Sequence, residues 1–118
     1  MPSIYKILKN CKNIKKFLPN ISPQIYSLSS YSSNAGVYTI ITIYGVNFSI
    51  FGPTGYSLVN FGSYLNINII FLGSNSISFE VPINALPGTY NLYVTNNIYP
   101  TLLNSNSISY NVILPNLH

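Results

Sequence analysis

Residues 37–48, Val-Tyr-Thr-Ile-Ile-Thr-Ile-Tyr-Gly-Val-Asn-Phe, leave little choice of local structure. β-Branched and aromatic residues fill the run, and such side chains fit a pleated sheet better than a helical turn. Odd positions (Val37, Thr39, Ile41, Ile43) and even positions (Tyr38, Ile40, Thr42, Tyr44) form the two faces of a strand, and Gly45 is expected to break the run at a turn. One strand cannot pair with itself, so the rest of the chain must supply a sheet.

From Ser22 onward it does. Gln24 to Ser29 reads as a first strand, followed by a Ser/Asn/Gly-rich turn through Gly36. Residues Ser49 to Tyr56, with Gly52-Pro53 and Gly55, read as a loop or short hairpin. Leu58–Gly62 and Asn66–Phe71 are two further strands, the second with Ile67, Ile69 and Phe71 on one face, and Gly73 to Asn75 makes the next turn. Ile77, Phe79 and Val81 then point inward against Ser76, Ser78 and Glu80, and Pro82 ends that strand. Gly88 to Thr95 places Tyr90, Leu92 and Val94 inward and Asn91, Tyr93 and Thr95 outward. A loop is expected over Asn96–Asn106, and Ile108, Tyr110, Val112 and Leu114 supply the inner face of a last strand. About seven strands at this spacing, with no helix among them, predict an all-β fold: an antiparallel two-sheet sandwich.

Residues 3–18 have a different period. Ile4, Ile7, Leu8, Cys11, Ile14 and Leu18 recur at intervals of three and four with lysines between, which predicts a short basic amphipathic helix, and Pro19 and Pro23 end it in an extended linker. The expected organisation is an arm and linker over 1–21 and a sandwich over 22–118. Two roles for the arm stay open: it docks on an anionic or apolar partner, or it packs against its own domain.

Charge divides the chain at the same place. Lys6, Lys9, Lys12, Lys15 and Lys16 are all of its basic residues, Glu80 is its one acid, and only 5% of residues are charged, against roughly 25% in ordinary soluble domains. Abundant Ile, Asn, Tyr and Phe fit an AT-rich coding sequence, but that bias would also supply Lys, and none follows Lys16. Codon bias therefore does not account for the uncharged body.

Several function classes drop out. No apolar stretch approaches the roughly 18 residues of a transmembrane helix, and lysines interrupt every candidate signal-peptide core near the N-terminus. The single Cys11 fits synthesis in a reducing compartment, so the sequons at Asn20 and Asn47 read as chance matches. Glu80, His118 and Cys11 are too few and too separated for acid–base catalysis, a paired nucleophile or a four-ligand metal site. Gly52-Pro53-Thr54-Gly55 lacks the Lys and the following helix of a phosphate loop. No catalytic, metal-binding or cofactor-binding residues are expected, and the chain is read as no enzyme.

Five segments in order resemble one family: Pro23-Gln24-Ile25; Ile41 to Phe48; Val59-Asn60-Phe61-Gly62; Ser76-Ile77 with Val81-Pro82; and Pro87-Gly88-Thr89-Tyr90 leading to Val94-Thr95-Asn96. Over about residues 22–114 the chain is similar to the IPT/TIG immunoglobulin-like domain. The resemblance implies an E-set/TIG-type sandwich, with Tyr90 similar to the tyrosine that ties a corner of such folds. Some relatives touch DNA with loops of the sandwich, but this sandwich has no Lys or Arg for phosphate, so DNA binding by it is not expected.

These readings converge on a non-enzymatic structural or protein-interaction module buried in a larger assembly of protein subunits. Its AT-rich composition, cysteine usage and small size suggest a minor capsid-associated protein of a virion. The outward positions Tyr38, Ile40, Tyr44, Tyr93 and Ile113 are the expected protein interface. The alternative is a peripheral binding module: Lys6, Lys9, Lys12, Lys15 and Lys16 hold an anionic membrane or nucleic acid, and the sandwich binds a sugar or protein.

Overall fold

The computed structural model describes residues 22–49, 55–98 and 101–115. The helix expected over residues 3–18 and its lysines lie outside the described residues.

Among the described residues, nine strands form two sheets: β1 (Gln24–Leu28), β2 (Ser32–Asn34), β3 (Ile40–Val46), β4 (Gly55–Phe61), β5 (Ile69–Leu72), β6 (Ser76–Glu80), β7 (Gly88–Ile98), β8 (Thr101–Asn104) and β9 (Ile108–Ile113). One sheet has the order β1-β3-β6-β5 and the other β2-β9-β7-β4, with β8 also paired to β7. This is the arrangement of an immunoglobulin-type sandwich. All pairings are antiparallel except the short β2–β9 pair, where Ser32, Ser33 and Asn34 lie beside Asn111, Val112 and Ile113. That stretch had the composition of a turn, and its edge position lets a three-residue parallel strand form there.

Alternation sets the core. Ile41 and Ile43 of β3, Ile77 and Phe79 of β6, Val59 and Phe61 of β4, Leu92 and Val94 of β7, and Tyr110 and Val112 of β9 are buried between the sheets. Burying each such side chain contributes about 1.5–3 kcal/mol. Phe61 sits at the aromatic centre, its ring 5.0 Å from Tyr90 and 5.5 Å from Tyr110.

Several expectations need correction. Gly45 does not break the strand: it lies within β3 opposite Ile25, and the chain leaves the sheet at Asn47, whose φ is 64°. Residues 37–39 precede the strand. Phe71 does not share the inner face with Ile67 and Ile69, because the register of β5 on β6 shifts between Ile69 and Phe71. The irregularity turns Phe71 to solvent and leaves Leu72 packed on the core. Strand β4 begins at Gly55, three residues before the expected start.

The loop expected over Asn96–Asn106 is mostly strand. β7 continues to Ile98, and β8 pairs back on it from Thr95↔Asn104 to Ile98↔Thr101. Leu114 lies past the end of β9 and is exposed rather than inward.

Candidate interaction surface

Polar side chains replace ordinary ladder bonds at the upper end of the sandwich, where β1 begins and β3 ends. Asn96 is buried on β7, accepting from Ser57 Oγ at 2.6 Å and donating from Nδ2 to the Asn47 carbonyl at 2.7 Å. Ser49 and Ser57 close the outer edge of β4, with Ser57 N–H donating to Ser49 O at 3.0 Å and Ser49 N–H to Ser57 Oγ at 2.8 Å. Between β8 and β9 the Asn106 side chain crosses to the other sheet. It accepts from Ile25 N–H at 2.8 Å and donates to Ile25 O at 3.0 Å, as a neighbouring strand would.

At the opposite end, the Tyr90 hydroxyl donates to the Leu86 carbonyl four residues earlier, and Leu86 N–H donates to Tyr64 Oη at 2.9 Å. The corner-tying role implied for Tyr90 is present in the structure. The interaction of the two phenols holds Tyr64 below the usual tyrosine range and raises Tyr90 above it. Burial raises the Tyr110 phenol, only partly offset by the nearby Ser33 hydroxyl; neither oxygen has a hydrogen bond of ordinary geometry.

The outer face of the β1-β3-β6-β5 sheet is open. Register sets Ser27, Tyr44 and Ser76 in one row, Thr42, Ser78 and Phe71 in the next, and Ile40 beside Glu80 in the last. Thr42 and Ser78 hydroxyls bond at 2.8 Å in the middle, while Tyr26, Ile40, Tyr44, Ile70 and Phe71 are all exposed. The outer face of the other sheet is rich in amides. There Asn60 Nδ2 donates to Thr95 Oγ1 at 2.8 Å, which donates to Asn104 Oδ1 at 2.7 Å, bridging β4, β7 and β8.

The five expected interface residues do not form one patch. Ile40 and Tyr44 share the outer face of β3, and Tyr38 lies in the loop just before that strand, 58% exposed. Tyr93 is half-buried on the amide-rich face of β7, and exposed Ile113 ends β9 in the same sheet. Sequence reasoning missed Tyr26, Ile70 and Phe71, because strand irregularities in β1 and β5 change which side chains face out. Strict alternation carries no signal for these shifts.

Among the described residues, no group of three or more His, Cys, Asp or Glu comes together that could hold a metal ion. None of their helices is long and apolar enough to cross a membrane. No curated protein matches the chain. The sequence profile of the IPT/TIG domain matches residues 23–112, the span from the first strand to the last. With that match laid over two sheets in immunoglobulin-type order and a tyrosine-tied corner, the chain belongs to the IPT/TIG domain family.

Proposed function

We propose that this IPT/TIG domain is a non-enzymatic structural module whose outer faces are covered by neighbouring protein subunits in a larger assembly, a minor component of a virus particle being the assembly its composition suits. IPT/TIG domains are generally non-catalytic immunoglobulin-like modules often used in protein interactions. One observation carries the reading for this chain: Glu80 is the only charged side chain from residue 17 onward, while Tyr26, Tyr38, Ile40, Tyr44, Ile70, Phe71, Leu58 and Ile113 are exposed. Covering such a surface desolvates few charges and gives aromatic anchors to a partner. Sedimentation of wild type against the variant Tyr38→Lys, Ile40→Lys and Tyr93→Lys, with folding checked by circular dichroism, tests it. The variant is expected to fold and fail to enter the assembly. A soluble wild-type monomer, together with a folded variant that assembles as wild type does, refutes the reading.

The segregation of all five lysines into residues 6–16 favours a second reading, a peripheral module held through them on an anionic membrane or nucleic acid. The same sedimentation experiment separates the two. A monomer that stays soluble alone at high concentration favours the second.

A further inference from the structure

We propose that the groove between β1 and β8, at the upper end of the sandwich, is a binding site for a neutral saccharide. Tyr26 is the surface on which a sugar ring packs, and Gln24 and Asn104 are the partners of its hydroxyls. The site stands apart from the roles proposed above for the outer faces and the lysines.

The groove has a volume of about 280 Å³ and is bordered by residues 22–26 on one side and by Asn104 and Asn106 on the other. That is the small end of ligand sites, roughly 300–1,000 Å³, and suits one sugar unit or the end of a glycan. Its walls are set before any ligand arrives. Pro23 is fully buried, and Asn47 Nδ2 donates to the Ser22 carbonyl at 3.2 Å, which fixes the start of β1. Across the groove, the Asn106 amide holds the Ile25 backbone through its two bonds. A preformed site loses less entropy on binding than one that must be ordered.

Hydrogen bonding also orients the polar groups. Asn60 Nδ2 donates to Thr95 Oγ1 at 2.8 Å, so the Thr95 hydroxyl donates onward to Asn104 Oδ1 at 2.7 Å. Asn104 thus turns its oxygen to β7 and keeps its Nδ2 hydrogens for a ligand. The Gln24 side-chain amide and the Tyr26 hydroxyl have no partner among the described residues. Tyr26 falls in the register shift of β1, opposite no residue of β3, and is 65% exposed on the lip of the groove. Strand irregularities of this kind re-aim a side chain.

Charge and edge chemistry select the ligand class. No charged residue lines the groove, and from the level of Gln24 to that of Glu80 β3 runs roughly 20 Å at about 3.3 Å per residue. A carboxylate, phosphate or ammonium group would lose its water there without gaining a counter-charge. A peptide strand fits poorly as well. The Ile25 N–H and C=O that it would pair with are held by Asn106, and Leu28 N–H donates to the Tyr31 hydroxyl at 3.2 Å. What remains is neutral amide beside an aromatic ring. A sugar presents the matching set: hydroxyls that both donate and accept, and a face of C–H groups to lie on the ring.

Saturation-transfer difference NMR on the full chain tests the site, because its signal is read on the sugar and forms whether the protein is a monomer or assembled. The neutral probes are maltotriose, mannotriose, lactose and chitotriose, with sialyllactose as an anionic counterpart of lactose and pentaproline as a peptide. Transfer to at least one neutral sugar is expected, strongest on the C–H protons of one ring face, with a dissociation constant on the order of 1 mM for so small a contact. Tyr26→Ala and Gln24→Ala, both at exposed positions and checked for folding by circular dichroism, should each weaken binding about fivefold or more. Asn84→Ala, in the separate cavity beside Glu80, should leave it unchanged. Absence of transfer to every neutral sugar, transfer that survives Tyr26→Ala, or loss on Asn84→Ala overturns the site. A preference for sialyllactose over lactose overturns the neutral class, and transfer to pentaproline alone overturns the proposal in favour of a peptide.

Discussion

Gly45→Ala is expected to be among the most damaging single-methyl changes available in this chain, and conformational strain is not the reason. Gly45 lies within β3, and its φ is not positive. A Cβ built there would stand 1.9 Å from the Gln24 carbonyl oxygen, 3.0 Å from its carbon and 2.8 Å from Phe48 Cζ. The first two atoms are backbone, so rotamer changes cannot clear them. β1 must move away from β3 by more than 1 Å to reach van der Waals contact, a shift on the order of the gap between 1.9 Å and an ordinary 3.4 Å approach. That strains the Ile25↔Gly45 pairing, the two Asn106 bonds to Ile25 and the seat of Phe48, which is only 4% exposed. Two or three hydrogen bonds at about 1 kcal/mol each, with partial loss of the Phe48 contacts, give about 3–5 kcal/mol. Against a typical domain stability of about 5–15 kcal/mol this moves a urea midpoint by roughly 2 M. Gly36→Ala is the control, since Gly36 has φ 77° and nothing within 4 Å of an added Cβ, so it isolates backbone strain at about 1–2 kcal/mol. Urea denaturation of both variants decides. A Gly45→Ala cost below that of Gly36→Ala refutes the clash argument.

Two further changes test the polar interior. Tyr110→Phe removes a buried hydroxyl that lacks a hydrogen bond, so it is expected to be neutral or to stabilise by up to about 1 kcal/mol in urea denaturation. Because burial raises the Tyr110 phenol, the folded state keeps its proton where the unfolded chain loses it. Its contribution is therefore complete below the ordinary tyrosine value of about 10 and is lost as pH rises through the higher folded value, a component of alkaline destabilisation that Tyr110→Phe should lack. Asn106→Ala deletes both bonds to the Ile25 backbone and should cost about 1–2 kcal/mol, limited because water reaches this exposed position; faster amide hydrogen exchange at Ile25 is the local readout, and unchanged exchange would count against the bridge.

The sandwich was legible where alternation is regular and no side chain substitutes for backbone. Ile77 and Phe79 of β6, and Leu92 and Val94 of β7, lie inward as their spacing predicts, because a strand paired on both sides has no freedom to slip. Where register shifts, alternation misleads, as at Phe71. Asn96 and Asn97 read as loop residues because amides are depleted in strands, yet Asn96 is buried in β7 by bonds to Ser57 and Asn47 that lie 39 and 49 residues away in sequence. No local pattern encodes such partners. The exposed tyrosines and isoleucines were legible individually, but their distribution over two sheets depends on strand order, which one sequence leaves open.

The absence of lysine from the sandwich first reads as a set of unguarded strand edges, since lysine is a common protection against strand addition. The structure moves the argument elsewhere. The edge of β1 is occupied at Ile25 by the Asn106 amide, the edge of β4 at Ser57 by Ser49, and β5 carries a register irregularity, so each of these edges departs from a flat row of free backbone groups. Neutral amides and hydroxyls do here what charges do in other sandwiches. The exposed apolar side chains of the β1-β3-β6-β5 sheet have no comparable cover among the described residues. Any partner that requires an uncharged body is therefore better sought on the faces than along the edges, and side-to-face packing rather than strand addition is the mode of assembly that this surface favours.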